Sequence, residues 1–364
     1  MKGAVCYDWG KSLVVEDVTM DAPKRGEVSV RISAVAICHS DIHTLKGEHG
    51  KRGNPPFIAG HEVSGIVEEI GEGVVYVRPG DSVILSLVQA GCGQCHYCLI
   101  GLPHACEKWH FDFQVPGPFY TKKGQQITLS FGSFAGFAEK TIAPENCLVK
   151  IPQDMPKDVA ALLSCGVISG FGAVLHAAKV TPFSSVVVSG AGGVGLNAIQ
   201  GARFVGAHPI IAIDVVDSKL EAAKAFGATH TVNARTEKDP GAAVRAITEG
   251  RGADHVFVTV AGIQPKRQCF QMLSAIGKEI FIGHGTNEFM SEWDVIEFVR
   301  GRTVTGSAMG RSRIREDIPN FIKLYQTGRL KLDELISKRF SLDQINEAMT
   351  DAEKGESLRN VILF

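Results

Sequence analysis

The sequence predicts an α/β protein of two domains, a β-rich first domain followed by a doubly wound parallel sheet. Three observations carry that expectation. At 364 residues the chain exceeds what one ordinary core holds. Its first ~150 residues alternate apolar and polar side chains with period two and are broken by glycine, the pattern of half-buried strands. From about residue 165, short apolar strands alternate with helical stretches, the pattern of βα units on a parallel sheet.

Each element follows from its local signal. The N-terminal MKGAVCYDWG has no apolar signal core and reads as a first strand. EVSVRISAVAI (27–37), EVSGIVEEI (62–70) and DSVILSL (81–87) read as strands, with the turn Arg78-Pro79-Gly80-Asp81 before the last. In the second half, VVVS (186–189), IIAI (210–213), HTV (230–232), HVFVTV (255–260) and EIFIG (279–283) are the strands. Helices are expected near 193–205, 216–226, 240–249 and 264–276. After about residue 305 the rhythm stops, and the helix IPNFIKLYQTG and the tail SLRNVILF are expected to pack back on the first domain. The expected boundaries are 1–166, 167–305 and 306–364.

Composition narrows the partners. Hydrophobic residues at 45%, charged residues at 21% and a net charge of −1 describe a globular chain with no broad pull toward nucleic acid or anionic membrane. No run reaches the ~18 uninterrupted apolar residues of a membrane span. The nine cysteines are odd in number, and four of them crowd into 92–106. Metal binding in a reducing cytosol explains them better than disulfides. Cys6, Cys147 and Cys269 are expected to be small buried apolar groups.

Two clusters carry chemistry. Cys92, Cys95 and Cys98 have C-x2-C-x2-C spacing, and Cys106 follows after seven residues. Four thiolates at about 2.3 Å close a tetrahedral zinc site, and an x2 spacing lets one tight turn present two sulfurs. Gly91, Gly93 and Gly101 allow the backbone turns of this lobe, about 91–107. An iron–sulfur cluster is the rival occupant; His96 and His104 are the rival ligands. The second cluster is split. Cys38 opens the run Cys38-His39-Ser40-Asp41-Ile42-His43, and His61 stands in Gly60-His61-Glu62. Spacing leaves the third ligand open among Cys6, Cys147, Cys165 and Cys269. Cys165 is favoured because Gly166 and a new helix follow it at the expected domain junction, where ligand sites tend to lie. Three protein ligands leave one position open, the arrangement of catalytic zinc. Asp41 is expected to accept a hydrogen bond from the free ring nitrogen of His61. Glu62 is expected behind the metal or as an exchanging ligand, with an ordinary turn role equally weighted. Ser40 and His43 are expected to form a proton path.

The third motif is VVVSGAGGVGLNAI, with Gly190, Gly192 and Gly195 in G-x-G-x-x-G order between a strand and a helix. Gly190 makes the turn, Gly192 lets the backbone approach a pyrophosphate, and Gly195 lets helix and strand pack closely. Helix N-terminal amides, Gly193 and Val194 among them, face the phosphates. Asp214 stands nineteen residues beyond Gly195, at a strand end, and would accept from adenosine ribose hydroxyls. No arginine follows closely, so NAD is expected over NADP.

Together these residues resemble the medium-chain, zinc-containing alcohol dehydrogenases over nearly the whole chain: the GHE triplet, the C-x2-C-x2-C-x7-C lobe, the SCG cysteine, the GAGGVG turn and GSAMGRSRIREDIPNFIKLYQTGRL. The resemblance implies a GroES-like catalytic domain plus a Rossmann domain, and two zinc ions per chain. It implies Cys38, His61 and Cys165 as catalytic zinc ligands, and Cys92, Cys95, Cys98 and Cys106 as structural ones. Ser40 and His43 match proton-relay positions, and His39 and Arg359 match contacts to coenzyme phosphates. Asp214 and Lys219 match adenosine-ribose contacts, and Val194 packs on the nicotinamide. The implied activity is reversible hydride transfer between a primary or secondary alcohol, aromatic ones included, and NAD. The implied protein is a cytoplasmic homodimer or homotetramer acting on a small-molecule alcohol, aldehyde or ketone. A glutathione-dependent formaldehyde dehydrogenase is the alternative enzyme, and a crystallin-like NAD binder without catalysis is the alternative of another class. The long segment 107–134 matches the larger, often dimeric branch of the family. The sequence departs from the pattern in the loop 44–56, with Lys46, Lys51 and Arg52, in one extra residue before Cys92, and in Arg311 where glycine is common.

Overall fold

In the computed structural model the chain forms two compact units, and residues 1–48, 54–108, 120–130, 133–283 and 296–364 are described. Lys51 and Arg52 and part of 107–134 lie outside these residues. The first unit comprises Met1–Cys165, Arg313–Tyr325 and Leu332–Phe364; the second comprises Gly166–Ser312 and Gln326–Lys331.

The first unit is β-rich. Its larger sheet runs Leu148–Lys150, Ser82–Leu85, Glu62–Ile70, Glu27–Ala36, Arg359–Leu363, Ile336–Ser341, with Lys140–Pro144 also paired to Glu27–Ala36. Glu27–Ala36 is the centre of this sheet. Its alternating residues Val28, Val30, Ile32 and Ala34 are fully or almost fully buried. The expected return of the tail is present: Val361 pairs with Ala36 in the antiparallel register. On the other side of the same strand, Glu62 pairs with Ala36. Three strand ends therefore meet at one corner of the sheet, carrying Cys38, His61 with Glu62, and Arg359. The helix Lys157–Leu162 packs against Glu27–Ala36 and Glu62–Ile70. Ser64 Oγ donates to the Lys157 carbonyl at 2.5 Å, and Ser86 Oγ to that of Ser164 at 2.9 Å. Beyond Leu162 the helix widens to a π turn over Leu163–Val167, a local expansion common at functional sites, and Cys165 lies in it.

The second unit holds six parallel strands in the order His230–Asn233, Ile210–Asp214, Val186–Ser189, Ala253–Val258, Leu273–Phe281, Thr303–Gly306. This is the Rossmann order, with the reversal beside the first strand. Two expectations are corrected. The helix expected over 264–276 is Ile263–Gln271, and the chain is already a strand from Leu273. Ile276 prolonged the apparent helical pattern, but it stands 73% exposed on that strand. The sheet rhythm also continues past its expected end: TVTG at Thr303–Gly306 is a sixth strand, an edge strand whose residues are all exposed or half-buried. One helix among the described residues, Lys157–Ala178, is long and apolar enough to cross a membrane by length and composition, and 89% of its apolar window is buried inside the protein, as in a core helix.

Candidate active site and coenzyme turn

The split cluster assembles in the first unit. One ligand atom each from Cys38, His61, Glu62 and Cys165 lies within 4.8 Å of the others, and all four residues are packed inside the protein. Of the four cysteines that spacing left open, Cys165 supplies the third donor. Cys6, Cys147 and Cys269 are buried elsewhere, as expected.

Cys38 is the residue before the short helix His39–Leu45. That helix puts Asp41 at its third position, where the carboxylate accepts the Cys38 backbone N–H at 3.2 Å and the Gly60 N–H at 3.1 Å. Gly60 has a φ of +94°, and a Cβ there would lie 2.8 Å from the Phe137 nitrogen, so this approach needs glycine. Asp41 is fully buried and takes the His61 Nδ1–H at 2.9 Å. A carboxylate only accepts, so the His61 lone pair is on Nε2, on the side of the thiols. Ser40 Oγ–H donates to Cys38 Sγ at 3.1 Å and lies 3.3 Å from His61 Nε2.

The electrostatics follow from burial and pairing. The hydrogen bond from the Cys165 thiol, aided by His61, outweighs burial and holds Cys38 well below an ordinary thiol. The same bond, with burial, pushes Cys165 well above it. Burial lowers His61, but the Asp41 carboxylate and then Cys38 more than reverse this. Thiols and imidazole ligate a cation only without their protons, so metal binding at this set would release protons. Burial raises Glu62 to about 7 against the pull of Arg359. Glu62 is fully buried with Oε2 on the Arg359 guanidinium, while its Oε1 and the Arg359 Nε have no hydrogen-bond partner among the described residues. Arg359, expected at a coenzyme phosphate, pairs with Glu62 through Nη2, because strand register sets it across from Cys38. His39 is exposed on the first turn of its helix. His43 Nδ1 lies 2.5 Å from Glu48 Oε2, a partner that no sequence motif signals.

The four-cysteine lobe also assembles. Its sulfurs lie within 4.8 Å of one another, and Cys95 Sγ is 3.9 Å from Cys106 Sγ. A tetrahedron with 2.3 Å zinc–sulfur bonds has edges of about 3.8 Å, so the set fits one ion. All four cysteines are free thiols, and His96 and His104 are outside the set. Gly91 has a φ of +85°, and a Cβ there would come 2.6 Å from Cys98 Sγ. Backbone amides of Gln94 and Cys95 bring the Cys92 thiol down to about 6, and burial raises Cys98 to about 12.

In the second unit the glycine turn lies between Val186–Ser189 and the helix Gly193–Phe204. A Cβ on Gly195 would sit 1.8 Å from the Gly190 carbonyl oxygen, and Gly190 has a φ of +95°. Among the described residues no atom outside the adjoining chain lies within 4 Å of a would-be Cβ on Gly192, so they impose no packing need for glycine there; a dinucleotide's pyrophosphate would. Gly193 and Val194 are half-buried on the first helical turn. Asp214 Oδ2 accepts the Ala191 N–H at 2.7 Å, and Oδ1 accepts those of Val215 and Val216 at 2.7 and 3.0 Å. Lys219 is half-buried on the following helix, Asp217–Phe226.

Known proteins carry the same architecture. The alcohol dehydrogenase GroES-like domain model matches residues 24–153, and the zinc-binding dehydrogenase model matches residues 193–327. The NDMA-dependent alcohol dehydrogenase of Amycolatopsis methanolica is 33% identical, over 100% of this chain and 98% of its own. The S-(hydroxymethyl)glutathione dehydrogenase of Saccharomyces cerevisiae is 38% identical, over 99% and 95%. The solved benzyl alcohol dehydrogenase of Acinetobacter calcoaceticus superposes with a TM-score of 0.91 at 33% identity, over 100% of this chain and 99% of that one. Full-length likeness at these identities, on a fold with a GroES-like unit and a Rossmann-like unit, means that the chain belongs to the zinc-containing alcohol dehydrogenases of the medium-chain dehydrogenase family.

Proposed function

We propose that the protein is an NAD-dependent zinc alcohol dehydrogenase, interconverting a primary or secondary alcohol, aromatic alcohols included, with its aldehyde or ketone. The observation that carries this is the contrast between two clusters: four sulfurs that close a tetrahedron, and Cys38, His61 and Cys165 with a buried carboxylate behind them. Two cysteines and one histidine are the catalytic zinc set of alcohol dehydrogenases. When bound, zinc supplies a Lewis acid for the alcohol oxygen and NAD supplies the hydride acceptor.

The protein's own residues do the rest. Two thiolates would balance a divalent cation and Glu62 balances Arg359, while the buried Asp41 carboxylate is held by the N–H groups of Cys38, Gly60 and His61. Asp41 fixes the ring of His61. Ser40, hydrogen-bonded beside the ligands, would accept the hydroxyl proton of the substrate as it passes its own proton on, and His43 would release a proton toward solvent. The alcohol thus loses one hydride and one proton. The glycine turn with Asp214 supports NAD as coenzyme. Nine cysteines with no disulfide among them support a reducing, cytoplasmic setting, and a homodimer or homotetramer completes the reading.

Elemental analysis should find two zinc ions per chain, and a panel of alcohols should produce NADH, followed by its near-ultraviolet absorbance. Cys38→Ser should abolish turnover while leaving a folded protein with the lobe zinc. Iron in place of zinc, or turnover with NADP alone, would overturn the assignment. The 38% identity to the S-(hydroxymethyl)glutathione dehydrogenase favours one second reading. Activity confined to formaldehyde in the presence of glutathione selects it.

A further inference from the structure

The helix His39–Leu45 stops in a way that bears on the proton path. Lys46 caps it and Gly47, at φ +71°, reverses the chain. The Gly47 N–H donates to the Thr44 carbonyl at 3.0 Å, and the Glu48 N–H donates to the His43 carbonyl at 2.9 Å. These are the two bonds of a Schellman stop. A Cβ on Gly47 would meet the Trp9 side chain at 3.1 Å, so the turn is fixed from both sides. The helix stop therefore sets Glu48 against His43 through the backbone. An apolar contact usually joins these two positions. Here the side chains are polar, with His43 Nδ1 2.5 Å from Glu48 Oε2.

We propose that Glu48 is a positioning residue for the proton relay: its carboxylate takes the Nδ1–H of His43, fixes that tautomer, and leaves Nε2 as the ring atom that accepts the substrate's proton. This rests on the relay reading of Ser40 and His43 given above. The chain uses the same device twice. Asp41 orients His61 in a fully buried pair, where a fixed ligand is needed. Glu48 orients His43 in a pair whose side chains are 29% and 45% exposed, where a proton must leave to water. The His39 ring centroid lies 6.5 Å from that of His43, and Lys46, at the helix stop, is paired to Glu353 of the helix Ile345–Lys354, which packs on His39–Leu45.

The proton balance is simple. The alcohol proton reaches His43 Nε2 while Nδ1–H stays on the Glu48 carboxylate, and the proton then passes from Nε2 to bulk water. Neither residue changes oxidation state, and neither bonds covalently to substrate. Glu48→Ala removes the carboxylate but keeps both backbone bonds of the helix stop. Glu48→Gln keeps an oxygen that accepts from Nδ1–H.

The test uses the zinc-loaded full-length enzyme with Glu48→Ala, Glu48→Gln, His43→Gln and the double variant. In dilute buffer, Glu48→Ala should lower kcat/KM for alcohol oxidation about two- to fivefold, the scale of an exposed charge pair. Glu48→Gln should keep most of the activity. Imidazole buffer should restore Glu48→Ala, and Glu48→Ala should cost nothing more in the His43→Gln background. Long-range ¹⁵N–¹H spectra should show neutral His43 protonated on Nδ1 in the wild type and shifted toward Nε2 in Glu48→Ala. A slowed His43→Gln beside an unslowed Glu48→Ala, or equal losses in both backgrounds, overturns the role of Glu48 and leaves the relay standing. An unslowed His43→Gln removes the relay, and the proposal with it.

Discussion

Asp214 accepts three backbone N–H groups, from Ala191 in the glycine turn and from Val215 and Val216 after its own strand. The sequence suggested a coenzyme contact, or for Asp214 alone a helix N-cap, because a carboxylate nineteen residues past the last glycine is recognised by position and its backbone partners are not. The structure adds a second role, since the carboxylate ties the turn to the strand end. Asp214→Asn keeps one accepting oxygen and turns the other into a donor, so at least one of these N–H groups loses its partner. We expect weaker NAD binding and a loss of about 1 kcal/mol, read as a fall in Tm of roughly 2–4 °C. Asp214→Ser should admit NADP only together with that loss of stability. Coenzyme titrations and melting curves on the same samples check this, and an unchanged Tm in both variants would show the backbone bonds to be dispensable. Cys38 and His61, each of which alone reads as an ordinary buried residue, were legible as candidates only through the polar run after Cys38, the Gly60-His61-Glu62 triplet and the dinucleotide motif downstream. The partners of Arg359 and Glu48 were not legible, because they depend on strand register and on a helix stop.

At the scale of elements, the C-x2-C-x2-C spacing foretold the lobe because four sulfurs around one ion need only local chain turns. Gly91 is the tightest of these, with a φ of +85° and no room for a Cβ beside Cys98 Sγ. Gly91→Ala should therefore leave one zinc per chain and a lower Tm, while the catalytic cluster still binds its ion. Since structural zinc contributes directly to folding, Cys95→Ser should behave in the same way. Elemental analysis before and after mild chelation is the check, and Gly91→Ala protein that retains two zinc ions would show that the lobe tolerates the clash. Other elements were less legible for a physical reason. Thr303–Gly306 is a four-residue edge strand with no fully buried residue, so it carries no apolar run. Leu273–Phe281 contains Gly277, where a Cβ would meet the Ala253 carbonyl at 2.6 Å, and its pairing shifts between Ala253 and His255. That irregularity broke the period-two pattern and let Ile276 pass for a helical residue. The buried strands Val186–Ser189 and Ile210–Asp214 were read correctly because a parallel sheet covered on both faces needs continuous apolar runs.

At the scale of the molecule, pH acts through buried groups of the second unit that belong to neither cluster. His255 and Glu279 lie on neighbouring strands of the second unit, Ala253–Val258 and Leu273–Phe281. Burial, with Lys278 beside it, lowers His255 to about 4. Burial raises Glu279 to about 8 despite Lys266, and neither of its carboxylate oxygens has a hydrogen-bond partner among the described residues. The signs oppose. For His255 the unfolded chain binds more protons between its ordinary value near 6.5 and about 4, so stability falls as pH drops through that window. For Glu279 the folded protein binds more protons between its ordinary value of 4.5 and about 8, so stability falls as pH rises through that window. The two slopes cancel between 4.5 and 6.5, and Glu279 alone acts from there up to about 8. Glu279→Gln removes a charge that must otherwise be ionised inside the sheet. Its Tm should match the wild type near pH 4.5 and exceed it increasingly toward pH 8. The gain should reach on the order of 2 kcal/mol once relaxation around the ionised group is allowed for. The pH dependence of metal retention cancels in this comparison, since both proteins keep the same two clusters. A Tm difference that stays constant across the window from 4.5 to about 8 would mean that Glu279 ionises without penalty, through a partner that opens to it as it charges.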